Sequence, residues 1–207
     1  FADPAEPEHR RIDFDPGKRG LRLAIVNTGG SHADLTREYA SVPAEMNAVA
    51  SFLGARALRE VDPAALVARG PEIRKACGDR ALLRSFHFAA ENARVDEMAY
   101  ALESDDLKSF LKLTRKSGRS SWQLLQNLYP ASAPAEQGIP LALELSSMFV
   151  GNKGAWRING GGFAGTIEAF VPESLWDGYK ALMERYFGPA SVIAASIRAR
   201  GAARVSA

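Results

Sequence analysis

The sequence carries one cysteine, Cys77, in 207 residues. That excludes an internal disulfide framework and fits a reducing, cytoplasmic setting. Long apolar runs are missing too, since none approaches the roughly 18 residues of a membrane span. Nor is there a block of one charge. Lys and Arg total 26 against 24 Asp and Glu, and this near-balance gives no basic patch of the kind that tracks nucleic acid. Neither a nucleic-acid nor a membrane partner is therefore expected. Internal repeats, heptad arrays and low-complexity tracts are absent. The opening Phe-Ala-Asp-Pro-Ala-Glu-Pro-Glu is acidic and proline-bearing, unlike a secretion signal. It has no initiator methionine, so the chain reads as a piece that begins inside something longer.

What is present centres on residues 155–171. Trp156 and Ile158 alternate with polar neighbours, as do Ile167, Ala169 and Val171 beyond them, which predicts two half-buried strands. Between them stand Gly160, Gly161, Gly162 and Gly165. Their spacing spells G-x-G-x-x-G, but that fingerprint binds a pyrophosphate only where the glycines open a helix. Here a β-branched, alternating run follows and Pro172 ends it. The protein-kinase glycine loop does lie between strands, yet it needs a strand lysine, H-R-D and D-F-G downstream. None appears. What remains is a glycine-rich hairpin: a tight, bulged turn, or a loop whose backbone can approach a ligand closely.

Along the rest of the chain, residues 1–20 form a charged lead-in with a possible short strand at Arg11–Phe14. Leu21–Val26 reads as an interior strand ending in the loop Asn27–His32. Ser41 and Pro43 open a helix carrying Met46, Val49, Phe52 and Leu53, which Gly54 closes. Asp62-Pro63 starts a short helix that Gly70-Pro71 stops. Asp79 to Leu102 is the longest helix, with an apolar stripe at Leu82, Leu83, Phe86, Ala90, Ala93 and Met98. Another starts at Ser104–Asp106 and continues helically through Trp122, Leu125 and Leu128. Leu141–Val150 and Pro172–Phe187 are further helices, the latter with Leu175, Tyr179, Leu182 and Tyr186 on one face. Ser191–Ile197 reads as a strand and Ala202–Val205 as a last one. Strands at both ends around a helical middle predict an α+β fold with an antiparallel sheet packed against helices.

Three stretches in order resemble one family. Arg157-Ile-Asn-Gly-Gly-Gly-Phe-Ala-Gly is similar to the third signature motif of the GHMP small-molecule kinases, which in galactokinases usually reads Arg-Met-Thr-Gly-Gly-Gly-Phe-Gly-Gly. Asn159 and Ala164 depart from it. Asn27–Tyr39 looks like the galactokinase segment that leaves a strand and runs to Ser-Glu-Tyr. His87-Phe-Ala-Ala-Glu-Asn-Ala-Arg is similar to the family's His-x-x-x-Glu-Asn-Ala-Arg. Residues 120–137 depart from the usual Arg-Asp-Asp-Phe run and resemble a divergent bacterial branch.

The resemblance implies a GHMP kinase C-terminal domain over residues 1–207, a ferredoxin-like α/β sandwich with helical additions. It implies that the whole enzyme uses ATP and Mg²⁺ to phosphorylate the anomeric hydroxyl of galactose. The family's sugar motif, ATP-phosphate loop, catalytic aspartate and partner arginine lie in an N-terminal domain that this sequence does not contain. This half is thus expected to hold no catalytic residue, to bind no cofactor or metal alone, and to be inactive alone. Its partners would be galactose, ATP and its own N-terminal domain. A non-catalytic sugar and nucleotide sensor with the same C-terminal motifs is the alternative.

Tyr39 matches a tyrosine that hydrogen-bonds a sugar hydroxyl in galactokinases; otherwise it is a half-buried tyrosine beside a helix start. Gly160 and Gly161 would abut the sugar. Gly162, Gly165, Asn159 and Arg157 would support the nucleotide loop, although a salt-bridged strand arginine is the simpler reading of Arg157. His87, between two phenylalanines, reads as a packed histidine. His32 and Asp34 have no third metal ligand at useful spacing. Glu91, Asp96 and Glu97 read as a solvated helix face, and Cys77 as an inert thiol.

Overall fold

The computed structural model describes residues 10–30 and 35–198. Four strands form one sheet in the order β2-β3-β1-β4: β1 (Leu21–Asn27), β2 (Ala155–Ile158), β3 (Thr166–Pro172) and β4 (Val192–Ala195). Every neighbouring pair is antiparallel, with Ala24 opposite Ala169, Trp156 also opposite Ala169, and Val26 opposite Val192. β1 is an interior strand, as its apolar run predicts. Helices α1 (Thr36–Phe52), α2 (Pro63–Ala68), α3 (Gly70–Cys77), α4 (Asp79–Glu103), α5 (Leu107–Ser120) and α6 (Gly138–Val150) intervene between β1 and β2, and α7 (Trp176–Phe187) between β3 and β4. With α1 to α5 set aside, this is the βαββαβ order of a ferredoxin-like sandwich. The α+β expectation holds.

The period of two in the strands divides the sheet cleanly. Ala24, Val26, Ile158, Ile167, Ala169 and Val171 face α6 (Gly138–Val150) and α7, packing with Leu143, Trp176, Tyr179 and Met183. Leu21, Ala155 and Phe170 face the other way, onto Ala101 of α4 (Asp79–Glu103) and Phe110, Leu111 and Leu113 of α5 (Leu107–Ser120). A separate core joins α1 (Thr36–Phe52), α2 (Pro63–Ala68), α3 (Gly70–Cys77) and the start of α4, around Val49, Ala50, Leu66, Ile73 and Ala81. Asp62 caps α2 by accepting from Ala64 N–H, and Asp106 caps α5 by accepting from Ser109 N–H, as their positions predict. No helix among the described residues is long and apolar enough to cross a membrane.

Several local expectations are corrected. Arg11–Phe14 forms no strand; Phe14 instead packs, tilted, against Phe110 and Phe170, at centroid distances of 5.0 and 6.3 Å, so apolar burial outcompetes a sheet edge. α1 begins at Thr36 and passes through Pro43. One helical hydrogen bond is forfeited at the proline, and the packing of the helix against α4 outweighs it. Gly70-Pro71 starts a new helix as well as stopping one, because proline fits the first turn.

Further along, the turn after α5 is π-helical over Ser121–Leu125 and ends before Leu128. α6 starts at Gly138. β3 runs to Pro172 and α7 starts only at Trp176, burying Trp176, Tyr179 and Met183 while Tyr186 is exposed. α4 buries Arg84, Ser85 and His87 more deeply than the apolar stripe beside them, and Ala93 is exposed. The strand predicted at Ala202–Val205, and the pair His32 and Asp34, lie outside the described residues, as do residues 1–9 of the lead-in.

Candidate functional site around the glycine loop

The loop 159–165 closes on itself first. Asn159 N–H donates to Thr166 O at 3.0 Å and its Nδ2 to Thr166 Oγ1 at 3.1 Å. Below this neck Arg157 faces Glu168 directly across the strands, with Nε to Oε1 at 3.7 Å. Burial raises the Glu168 carboxyl above its ordinary range, and the Arg157 charge opposes that rise. Arg157 is therefore a cross-strand ion-pair residue, about a third exposed, at the base of the loop. Within the loop Gly160, Gly162 and Gly165 adopt φ of +74°, +87° and +97°, and Phe163 adopts +65°. A path with so many left-handed residues needs its glycines.

Three neighbours hold the loop from outside. At one end Thr28 N–H and Thr28 Oγ1 both donate to Gly165 O at 2.8 Å, tying it to the exit of β1. On one side stands Tyr39 of α1. Its hydroxyl donates to Gly162 O at 2.9 Å, its ring meets Phe163 edge-on at 5.4 Å, and a methyl group on Gly161 would lie 2.9 Å from its Cε1. On the other side is Asn127, which the sequence reading did not single out. Its Nδ2 donates to Gly161 O at 3.0 Å and its carbonyl accepts from Phe163 N–H.

Tyr39 and the glycines thus come together although more than a hundred positions separate them. Tyr39 is 37 % exposed, and Gly160 and Gly161 beside it are exposed, whereas Gly162 and Gly165 are buried. The buried pair builds the loop, and the exposed three form its outer surface. A cleft of about 360 Å³ lies on the far side, between the β1 exit and the start of α6, lined by Thr28, Gly30, Glu136, Gly138, Phe163 and Ala164 among others. Tyr39, Gly160 and Gly161 do not line it. Among the described residues no three or more His, Cys, Asp or Glu converge as a metal site.

The His-x-x-x-Glu-Asn-Ala-Arg stretch is on α4 behind the hairpin stem. Its spacing of four and then three residues puts His87, Glu91 and Arg94 on one helical face. His87 Nδ1 shares a hydrogen bond with Ser120 Oγ at 2.9 Å, and Ser117 Oγ donates to Glu91 Oε2 at 2.7 Å. Glu91 also pairs with Arg94. This corrects the solvated-face reading for Glu91, which is part-buried and bonded to α5, while Asp96 and Glu97 are exposed. Burial, aided by the Arg94 and Arg157 charges and opposed by the Ser120 hydrogen bond, lowers the His87 imidazole to about 4. His87 is thus a packed, neutral histidine.

No protein-family model matches the chain. It is similar to the galactokinase of Actinobacillus pleuropneumoniae, 33% identical over 158 residues that make up 76% of this chain and 39% of that protein. It is also similar to the galactokinase of Glaesserella parasuis, 30% identical over 84% of this chain and 44% of that one. In structure it resembles Lactococcus lactis galactokinase complexed with galactose, with a TM-score of 0.64 at 19% identity, covering 82% of this chain and 42% of that one. Nothing in these matches supports the sensor alternative. The chain spans about two-fifths of the length of the relatives it matches. With the α+β sheet and glycine hairpin already described, the chain is similar to part of the galactokinases over most of its own length.

Proposed function

We propose that this chain is the C-terminal half of a cytoplasmic, ATP-dependent galactokinase, joined over residues 1–20 to an N-terminal domain. The whole enzyme transfers the γ-phosphoryl group of ATP to the anomeric hydroxyl of galactose. The observation that carries the reading is the contact of Tyr39 with the glycine loop, in a chain related to galactokinases along most of its length. Phosphoryl transfer depends chiefly on placing the hydroxyl and stabilising charge. This half contributes to placement. The Tyr39 hydroxyl is held at Gly162 O, which sets it and the loop together at the place where a sugar hydroxyl would meet them. Bare backbone at Gly160 and Gly161 lets the ring of the sugar come close.

By the family resemblance the catalytic carboxylate, phosphate cradle and Mg²⁺ are assigned to the other half, and this half alone is expected to bind no ATP. Sugar-dependent ADP release tests the reading, with the upstream half restored and galactose, glucose, N-acetylgalactosamine and mevalonate compared. Turnover with galactose alone is expected, and none from the isolated 207 residues. Saturable sugar binding without turnover would refute the kinase reading.

Tyr39→Phe in the whole enzyme is expected to raise the galactose KM by about tenfold, the worth of roughly one hydrogen bond, and to leave the ATP KM alone. An unchanged galactose KM would assign Tyr39 to loop support only.

A further inference from the structure

The glycine loop has two lateral supports, and both lead back to one buried charge. Tyr39 bonds Gly162 O from α1. Asn127 takes the neighbouring groups, Gly161 O and Phe163 N–H. Its fit against the loop is close, since a methyl group on Gly162 would lie 2.2 Å from Asn127 O and 2.7 Å from its Nδ2. Asn127 is only 3 % exposed. It reaches this place because Ser121–Leu125 is π-helical and Gln126 is left-handed, with φ +58°. Such turns carry irregular carbonyls that need outside partners.

Arg84 supplies the partner. Its Nε donates to Leu125 O at 3.0 Å, and its Nη1 to Ser41 Oγ and Glu45 Oε2, both at 3.0 Å. Ser41 and Glu45 lie on α1, the helix that carries Tyr39. Glu45 is also held by Arg80. Arg84 is 1 % exposed, and burying a guanidinium is costly unless its donors are used. Here they fix the π-helical turn and α1 relative to each other, and those two elements flank the loop.

We propose that Asn127 is a positioning residue of the glycine loop and that Arg84 acts through it, by clamping the π-helical turn to the helix that bears Tyr39. The consequence for turnover rests on the galactokinase reading. The consequence for the loop does not, and the two are measured separately.

Hydrogen exchange by mass spectrometry on the 207-residue chain reads the loop. Asn127→Ala is expected to speed exchange across residues 159–165 by about tenfold, the loss of roughly one hydrogen bond, with β1 and β3 unchanged. Arg84→Lys keeps the charge but not the fork, and is expected to act on the same peptide. The double variant should exceed the stronger single change by little, because the two lie on one path. In the whole enzyme Asn127→Ala should lower kcat about tenfold while moving the galactose KM less than about threefold. Asn127→Ser serves the same comparison if the alanine form fails to fold.

Loop exchange identical to the parent chain would overturn the positioning role, and strictly additive effects would overturn the path through Asn127. A loosened loop with unchanged kcat would remove the link to turnover. Absence of galactose-dependent turnover in the unmodified enzyme would count against the kinase reading and leave the exchange result standing.

Discussion

Gly162→Ala is expected to destabilise the chain by about 3 kcal/mol and to abolish turnover of the whole enzyme. Two costs combine. A Cβ at φ +87° is strained by about 1–2 kcal/mol. The same carbon would lie 2.2 Å from the Asn127 carbonyl and 2.7 Å from Ile158 Cδ1, and forcing side-chain atoms into packed space costs about 1–3 kcal/mol. Relief requires the loop to leave Asn127 or Ile158 to leave the core. Gly160→Ala is the control, because its φ is +74° but nothing lies within 4 Å of the added carbon. Only the strain of about 1–2 kcal/mol remains there. Urea unfolding of both variants checks the contrast. Equal losses would show that the Asn127 contact does not constrain the loop.

Acid should weaken the fold through His87. In the unfolded chain its imidazole titrates near 6.5, and in the folded chain at about 4. Between those values the unfolded chain binds a proton that the folded chain refuses. Stability from this group is therefore full above about pH 6.5, falls as pH drops, and is lost by about pH 4. That gap is worth ~3 kcal/mol at ~1.4 kcal/mol per pH unit. Glu168 acts with the opposite sign in the carboxylate range, since its folded pKa is raised. Comparing the parent chain with His87→Asn cancels that contribution. The variant is expected to lose ~2–3 kcal/mol less between pH 7 and pH 4.5. Parallel stability curves would show that His87 is not the group protonated on acid unfolding.

The parts legible in the sequence were those with short-range grammar. The hairpin is announced by alternation on both sides of a glycine cluster, and its strands fall where that pattern puts them. Caps at Asp62 and Asp106 carry their own signals. The central site was half legible: Tyr39 and the glycines were found through motif resemblance, while Asn127 and Arg84 were missed. Arg84 on a helix reads as a surface arginine, and only tertiary contact shows that it is buried. Asn127 follows a π-helical turn, for which hydrophobic periodicity offers no template. Glu91 was misread for the same reason as Arg84, because its partner Ser117 is on another helix. Periodicity identifies apolar faces, and here the inward face of α4 is partly polar.

The placement of α1 to α6 between β1 and β2 also bears on how the chain is made. β1 is made before all six of these helices, yet both strands that pair with it, β3 and β4, follow them. At about 5–20 residues per second, β1 waits on the order of ten seconds with its edges unmated. The helical core of α1 to α4 needs no strand and can consolidate first, on the ribosome. Pairing at such sequence separation is slow, so the sheet is expected to close late. Because the glycine loop joins β2 to β3, that loop and its contact with Tyr39 are among the last parts of the chain to take shape.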